Sequence, residues 1–149
     1  MILKKGDAEM ILKNVLENDL KITILSSHEV YKWQGTRRAY YINLSYNNKN
    51  YRFTFYDSIN AYKNNEKLNH KDTLYAVLMD MQAYDNAPIY NDFCNEFGYD
   101  PYNDDYPYGT WYNKEAYRAF EGCRKASEHL HEMFTSAELE ALQEHFSDY

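Results

Sequence analysis

Apolar side chains recur with two different periods along this chain, and the change of period divides it. Ala8, Ile11, Leu12, Val15 and Leu16 fall three or four residues apart, which predicts a short amphipathic helix over residues 7–17 with Asp7 as its N-cap. Residues 20–26 read as a first strand, with Ile22 and Ile24 directed to one side. Beyond Gly35 the period is two. Tyr40, Ile42, Leu44 and Tyr46 alternate with Tyr41, Asn43 and Ser45, and Tyr51, Phe53 and Phe55 alternate with Arg52, Thr54 and Tyr56. Asn47, Asn48, Lys49 and Asn50 supply turn chemistry between the two runs, so a hairpin is expected.

From Asp72 the period becomes helical. Leu74, Val77, Leu78 and Met81 share one side of the predicted helix, and Asp72, Ala76 and Met79 lie on the other. Pro88 closes the following link, and residues 89–97 form a short helix stopped by Gly98 in a left-handed conformation. Pro101, Pro107 and Gly109 make Tyr99 to Trp111 a loop. Asn113 caps the next helix, whose apolar seam runs Ala116, Phe120, Cys123, Ser127, Leu130, Phe134, opposite Arg118, Glu121, Lys125, Glu128 and Glu132. Thr135 and Glu138 have capping-box spacing for a last helix over 136–147 that buries Leu139, Leu142 and Phe146. The expected fold class is α+β: one domain over 1–149, with an N-terminal helix and small antiparallel sheet in 1–71 and a helical half in 72–149.

Composition sharpens this picture. The 149 residues fit one domain, and 17 Tyr give it a surface rich in phenols, because buried hydroxyls need partners. No secretion signal or membrane span is expected, since apolar runs are only a few residues long. Two cysteines are too few for a disulfide framework, which points to a reducing cytoplasm.

Charge changes the picture most. Residues 1–71 hold 12 Lys and Arg against 7 Asp and Glu, a balance of +5, and residues 72–149 hold 4 against 16, a balance of −12, giving the net −7. Between Lys71 and Lys114 there is no cation, but Asp72, Asp80, Asp85, Asp92, Glu96, Asp100, Asp104 and Asp105 all fall there. Asp92, Glu96 and Asp100 have i, i+4 spacing, at which like charges on a helix repel by a few tenths of a kcal/mol. Local stability does not explain them. Residues four apart on a helix rise about 6 Å, comparable to a few Å per phosphate charge along a nucleic-acid strand, so such a row can stand in for a phosphate backbone.

Other candidate chemistry is weaker. Cys94 and Cys123 sit at expected core positions without metal-ligand spacing. His129 and His131 are two apart on a helix and diverge, and HEMFT (131–135) lacks the second His of a zinc-protease motif. The loop DPYNDDYPYG (100–109) is no EF-hand, having Tyr102 third and Asp105 where Gly is needed, which leaves a loose divalent-ion site through Asp100, Asp104 and Asp105 as the remaining metal hypothesis. Lys32, Trp33, Arg37, Arg38, Tyr40 and Tyr41 interleave cations with aromatics as single-strand binders do, although QGTRR (34–38) also suits an internal balance to the acidic half. Ser26, Ser27 and His28 are merely adjacent, and no triad order or phosphate loop stands out, so neither enzymatic activity nor a cofactor is expected.

DTLYAVLMD (72–80), DFCNEFGYD (92–100) and AYRAFEGCRKA (116–126) resemble a C-terminal module of small acidic proteins carried by bacteriophages and mobile elements of Firmicutes and gut bacteria. The resemblance spans residues 72–134. It implies a role in countering host defences, as CRISPR-Cas inhibitors do, and departs from the module at PYNDDYPYGTWYN (101–113), an insertion expected to carry individual specificity. A purely structural reading of Phe93, Cys94, Phe97 and Tyr99 makes them core residues that hold two helices together, and that reading is adopted for Phe93 and Phe97. The resulting expectation is an anti-CRISPR protein that binds a Cas nuclease such as Cas9 and blocks nucleic-acid binding by acidic mimicry. The binding set is Asp92, Glu96, Asp100, Tyr102, Asp104, Asp105, Tyr106, Tyr108 and Trp111, with Tyr99 beside it. Two alternatives are a nucleic-acid-binding accessory protein using Trp33 to Tyr41 and a phage structural or regulatory protein that oligomerises through its helices.

Overall fold

Alternation along the chain builds the sheet. The computed structural model describes residues 5–32, 35–58, 70–102 and 113–147. Among them β1 (Lys21–Lys32), β2 (Gly35–Tyr46) and β3 (Lys49–Ser58) pair antiparallel in the order β1-β2-β3. The register sets Leu44 opposite Ile22 and Tyr51, and Ile42 opposite Ile24 and Phe53. Ile22, Tyr40, Ile42, Leu44, Tyr46 and Phe53 are buried, but Lys21, Thr23, Tyr41 and Arg52 are exposed, which is the division expected of a sheet with one solvated face. Asn47 and Asn48 have φ of 51° and 62°, the pair of positive values that a two-residue type I′ turn requires and that Asn tolerates.

The first strand is longer than its apolar pattern. It runs to Lys32 rather than ending at residue 26, because β2 begins at Gly35 and offers backbone partners to the whole segment. A register shift between Ile24 and Ser26 leaves Leu25 exposed at a bulge.

Helices cover the other face. The first, α1 (Lys5–Lys13), starts ahead of Asp7, which therefore lies in its first turn instead of capping it, and it continues into a π turn over Asn14–Asp19 that places Val15 in the core. The second, α2 (His70–Asn86), buries Leu74, Val77, Leu78 and Met81 as its spacing predicts and exposes Met79. A short helix, α3 (Tyr90–Phe97), leads to α4 (Lys114–Met133), which packs against α2 and β3. The whole predicted seam of α4 is buried from Ala116 to Phe134, and Asn113 caps it by accepting from the N–H groups of Glu115 and Ala116. Finally α5 (Ser136–His145) starts at the capping box, with Thr135 Oγ1 accepting from Glu138 N at 3.2 Å and Glu138 Oε1 accepting from Thr135 N at 2.8 Å. Leu139, Leu142 and Phe146 are buried. The fold is α+β. Among the described residues no helix is long and apolar enough to cross a membrane.

Candidate functional site

The eight residues of α3 present two faces. Phe93 and Cys94 point inward and are buried, whereas Asn91, Asp92, Asn95 and Glu96 are all exposed and fall on one side of the helix. Asp92 lies in the first turn, where a carboxylate is favoured by the helix dipole. Glu96 lies in the last, where the dipole disfavours it and no basic residue answers it. Nothing local selects an acid there.

Gly98 ends the helix at φ 75°, and the N–H groups of Gly98 and Tyr99 both return to the Cys94 carbonyl. Asp100 is therefore not a third member of a helical row, as the i, i+4 spacing suggested, because the left-handed residue turns the chain off the helix axis. It is exposed just beyond that turn. Asp92, Glu96 and Asp100 find no hydrogen-bond or ion-pair partner among the described residues.

Beneath this face lies a bed of aromatic rings. Phe93 meets Phe120 edge-on at 5.4 Å, and Tyr90 meets Phe120 at 5.5 Å and Tyr117 at 5.7 Å. Phe93 also stacks with Tyr99 at 6.4 Å and contacts Phe97 at 4.8 Å. Such pairs add about 0.5–1.5 kcal/mol each beyond the area they bury. Phe97, expected in the core, is instead 47% exposed, because it is the last residue of a short helix and only part of its ring reaches Phe93. Ile89, the N-cap of α3, and Tyr117, on α4, are exposed large apolar groups as well. No periodicity marked Ile89 or Tyr117 as exposed.

One carbonyl gathers the neighbouring loop. Pro101 O accepts from Tyr90 Oη at 2.6 Å and from Asn113 N at 3.1 Å, so the two ends of the segment between Tyr102 and Asn113 are held together against α3. Tyr102 is half-buried at one end. Asp104, Asp105, Tyr106, Tyr108 and Trp111, and with them the loose divalent-ion hypothesis, lie outside the described residues.

Many other carboxylates of the acidic half are tied to the protein itself. Asp85 accepts from Ser127 Oγ at 2.5 Å and lies 2.9 Å from His131 Nε2. Arg124 bridges Glu121 at 2.6 Å and Glu128 at 2.5 Å, and its hydrogen bonds hold the Glu121 carboxyl below its usual range. Glu132 accepts from Tyr51 Oη at 2.8 Å, and Glu138 accepts from the Tyr46 hydroxyl. Asp80 is different. Part of the residue reaches solvent, but its carboxyl group is enclosed, and burial raises its pKa to about 7, against the opposing effect of a hydrogen bond with the Cys123 thiol. Burial and that carboxyl push the Cys123 thiol upward in turn.

These groups do not assemble a nucleophile. Ser127 donates to Asp85, whose other oxygen meets His131, so the histidine is not in direct contact with the hydroxyl. Both cysteines are free and buried, and burial also raises the Cys94 thiol pKa. His129 stacks on Tyr51 at 4.8 Å with Nδ1 at 3.1 Å from Arg52 O, so the two histidines of α4 serve different elements. Among the described residues no three His, Cys, Asp or Glu side chains converge as metal ligands would. In the basic stretch Tyr40 is buried and Tyr41 exposed, and Arg37 pairs in register with Val30 and Ser58. Trp33 lies outside the described residues.

Compared with known proteins, the chain matches no family model, no curated protein and no solved structure.

Proposed function

We propose that this chain is an inhibitor that presents the outer face of α3 as a decoy for nucleic acid. It docks on the basic groove of a bacterial nucleic-acid-handling effector and excludes the groove's own ligand. The single observation that carries this is the division among carboxylates. Those at Asp85, Glu121, Glu128, Glu132 and Glu138 are engaged within the fold, but Asp92 and Glu96 on the outer side of α3, and Asp100 just beyond its end, are exposed without a partner among the described residues. Glu96 is held there against the local preference of its helix end. Phe97 at the end of the same helix and Tyr117 on α4 are exposed aromatics, the kind of residue that dominates interface energies. The insertion at 101–113, which follows Asp100 in sequence, adds Asp104, Asp105, Tyr106, Tyr108 and Trp111 to the proposed binding set. Long-range attraction between this face and Lys or Arg in a groove speeds encounter and makes it sensitive to salt. No covalent step is involved.

The likeness of residues 72–134 to proteins of mobile elements directs the choice of effector to host defence, with an RNA-guided CRISPR nuclease such as Cas9 as the target. The test is a DNA-cleavage assay with guide-loaded Cas9, adding this protein before or after target DNA. Inhibition only when the protein is added first, relieved by excess duplex DNA, is the expected result. Undiminished cleavage in both orders contradicts the assignment.

A further inference from the structure

Asp100 stands off the helix that carries Asp92 and Glu96, yet the chain on either side of it is tied back to that helix. Ahead of it, Tyr99 N donates to Cys94 O at 2.8 Å, and the Tyr99 ring stacks with Phe93. Behind it, Pro101 fixes its own φ at about −65° and disfavours helical backbone at Asp100. The Pro101 carbonyl then accepts from Tyr90 Oη at 2.6 Å, a tie across 11 positions to the first residue of α3. The Tyr90 ring is itself held edge-on to Phe120 at 5.5 Å and to Tyr117 at 5.7 Å, so its hydroxyl is braced against α4.

We propose that Tyr90 is the positioning residue that fixes Asp100 relative to Asp92 and Glu96, an inference that rests on reading these carboxylates as a decoy. Asp92 and Glu96 need no such tie, because helical hydrogen bonds set their backbone. Asp100 lies past the left-handed Gly98, where no helix holds it. A carboxylate on a loose chain must be ordered when a partner binds, and that cost weakens the complex; one already held in place avoids it. Asn113 N also donates to Pro101 O, at 3.1 Å, but it joins that carbonyl to the start of α4 and not to α3. Tyr90 therefore acts on the partner through Asp100, with its own hydroxyl turned to the backbone.

Two readouts on the full chain test this. Tyr90→Phe keeps the ring and removes only the hydroxyl, so the circular dichroism spectrum is unchanged. By NMR relaxation, the amide order parameter of Asp100 falls from about 0.85 to below about 0.6 in that variant, while that of Asp92 stays. The second readout is affinity for guide-loaded Cas9. Asp100→Asn weakens it about 2- to 5-fold, the size of one exposed charge pair, and Tyr90→Phe weakens it by no more than that. Added to Asp100→Asn, Tyr90→Phe has no further effect, whereas added to Asp92→Asn it has its full effect. A tyrosine with a merely structural role weakens binding equally in both backgrounds, and that result overturns the proposal. So does an Asp100 order parameter that Tyr90→Phe leaves unchanged. Wild-type protein that does not bind Cas9 contradicts the inhibitor assignment and with it the use given to Asp100. The order parameter reports separately on whether Tyr90 holds that residue, so the two failures are told apart.

Discussion

Oδ1 of Asp85 lies 2.5 Å from the hydroxyl of Ser127, a residue only 4% exposed, so a carboxylate of the acidic half satisfies a buried donor of α4. Removing the acceptor alone strands that hydroxyl. Asp85→Ala is expected to destabilise the fold by about 1–3 kcal/mol. Ser127→Ala costs less, and the double variant costs less than the sum of the two, with a coupling of about 1 kcal/mol. Urea denaturation of the four proteins measures the cycle.

Asp80 makes stability depend on pH. Its folded pKa of about 7 lies above the ordinary 3.8 because the carboxyl is buried, so the folded state holds a proton that the unfolded chain releases. Stability is greatest below the unfolded value, falls as pH rises from about 4 to 7, and is level above that as far as this group is concerned. Asp80→Asn removes this dependence and is expected to be the more stable protein at pH 8, by roughly 2–4 kcal/mol. Comparison of urea midpoints at pH 5 and pH 8 checks both direction and size.

Glu96 sets local stability against binding. Glu96→Gln relieves repulsion with Asp92 and an unfavourable dipole interaction, so it should raise stability by a few tenths of a kcal/mol. If the carboxylate serves a partner, the same change weakens the complex. Thermal denaturation and affinity for guide-loaded Cas9 move in opposite directions on this account, and a variant that loses neither stability nor affinity counts against the decoy.

The start of α5 depends on a reciprocal pair. Thr135→Ala removes the acceptor for Glu138 N and is expected to cost about 0.5–2 kcal/mol. Glu138→Ala should cost at least as much, because that side chain also accepts from the hydroxyl of Tyr46 on β2. Denaturation midpoints rank the two.

Local chemistry made much of the fold legible. Period-two alternation located the hairpin, Asn113 and Thr135 marked helix starts, Gly98 marked a stop, and the seam from Ala116 to Phe134 named the buried side of α4. What escaped was set by distant partners. SSHEVYK (26–32) has no apolar alternation and becomes strand because Gly35 to Tyr41 pair with it. The tie from Asp85 to Ser127 spans 42 positions, and the one to His131 spans 46, distances over which no periodic signal exists. For the candidate site, the acidic character of Asp92 and Glu96 was readable from the missing counter-charge, but a helical row including Asp100 required a helix that Gly98 forbids. The exposure of Phe97 follows from the shortness of α3, which spacing alone does not reveal.

The most direct measurement is the association rate of guide-loaded Cas9 with this protein and with an Asp92→Asn, Glu96→Gln, Asp100→Asn variant, at low and at physiological salt. The wild-type chain is predicted to associate fast and to slow as salt rises, and the variant to associate at least about tenfold more slowly with a flatter salt dependence. A variant that binds as fast as the wild type, with the same salt dependence, contradicts the role given to these three carboxylates.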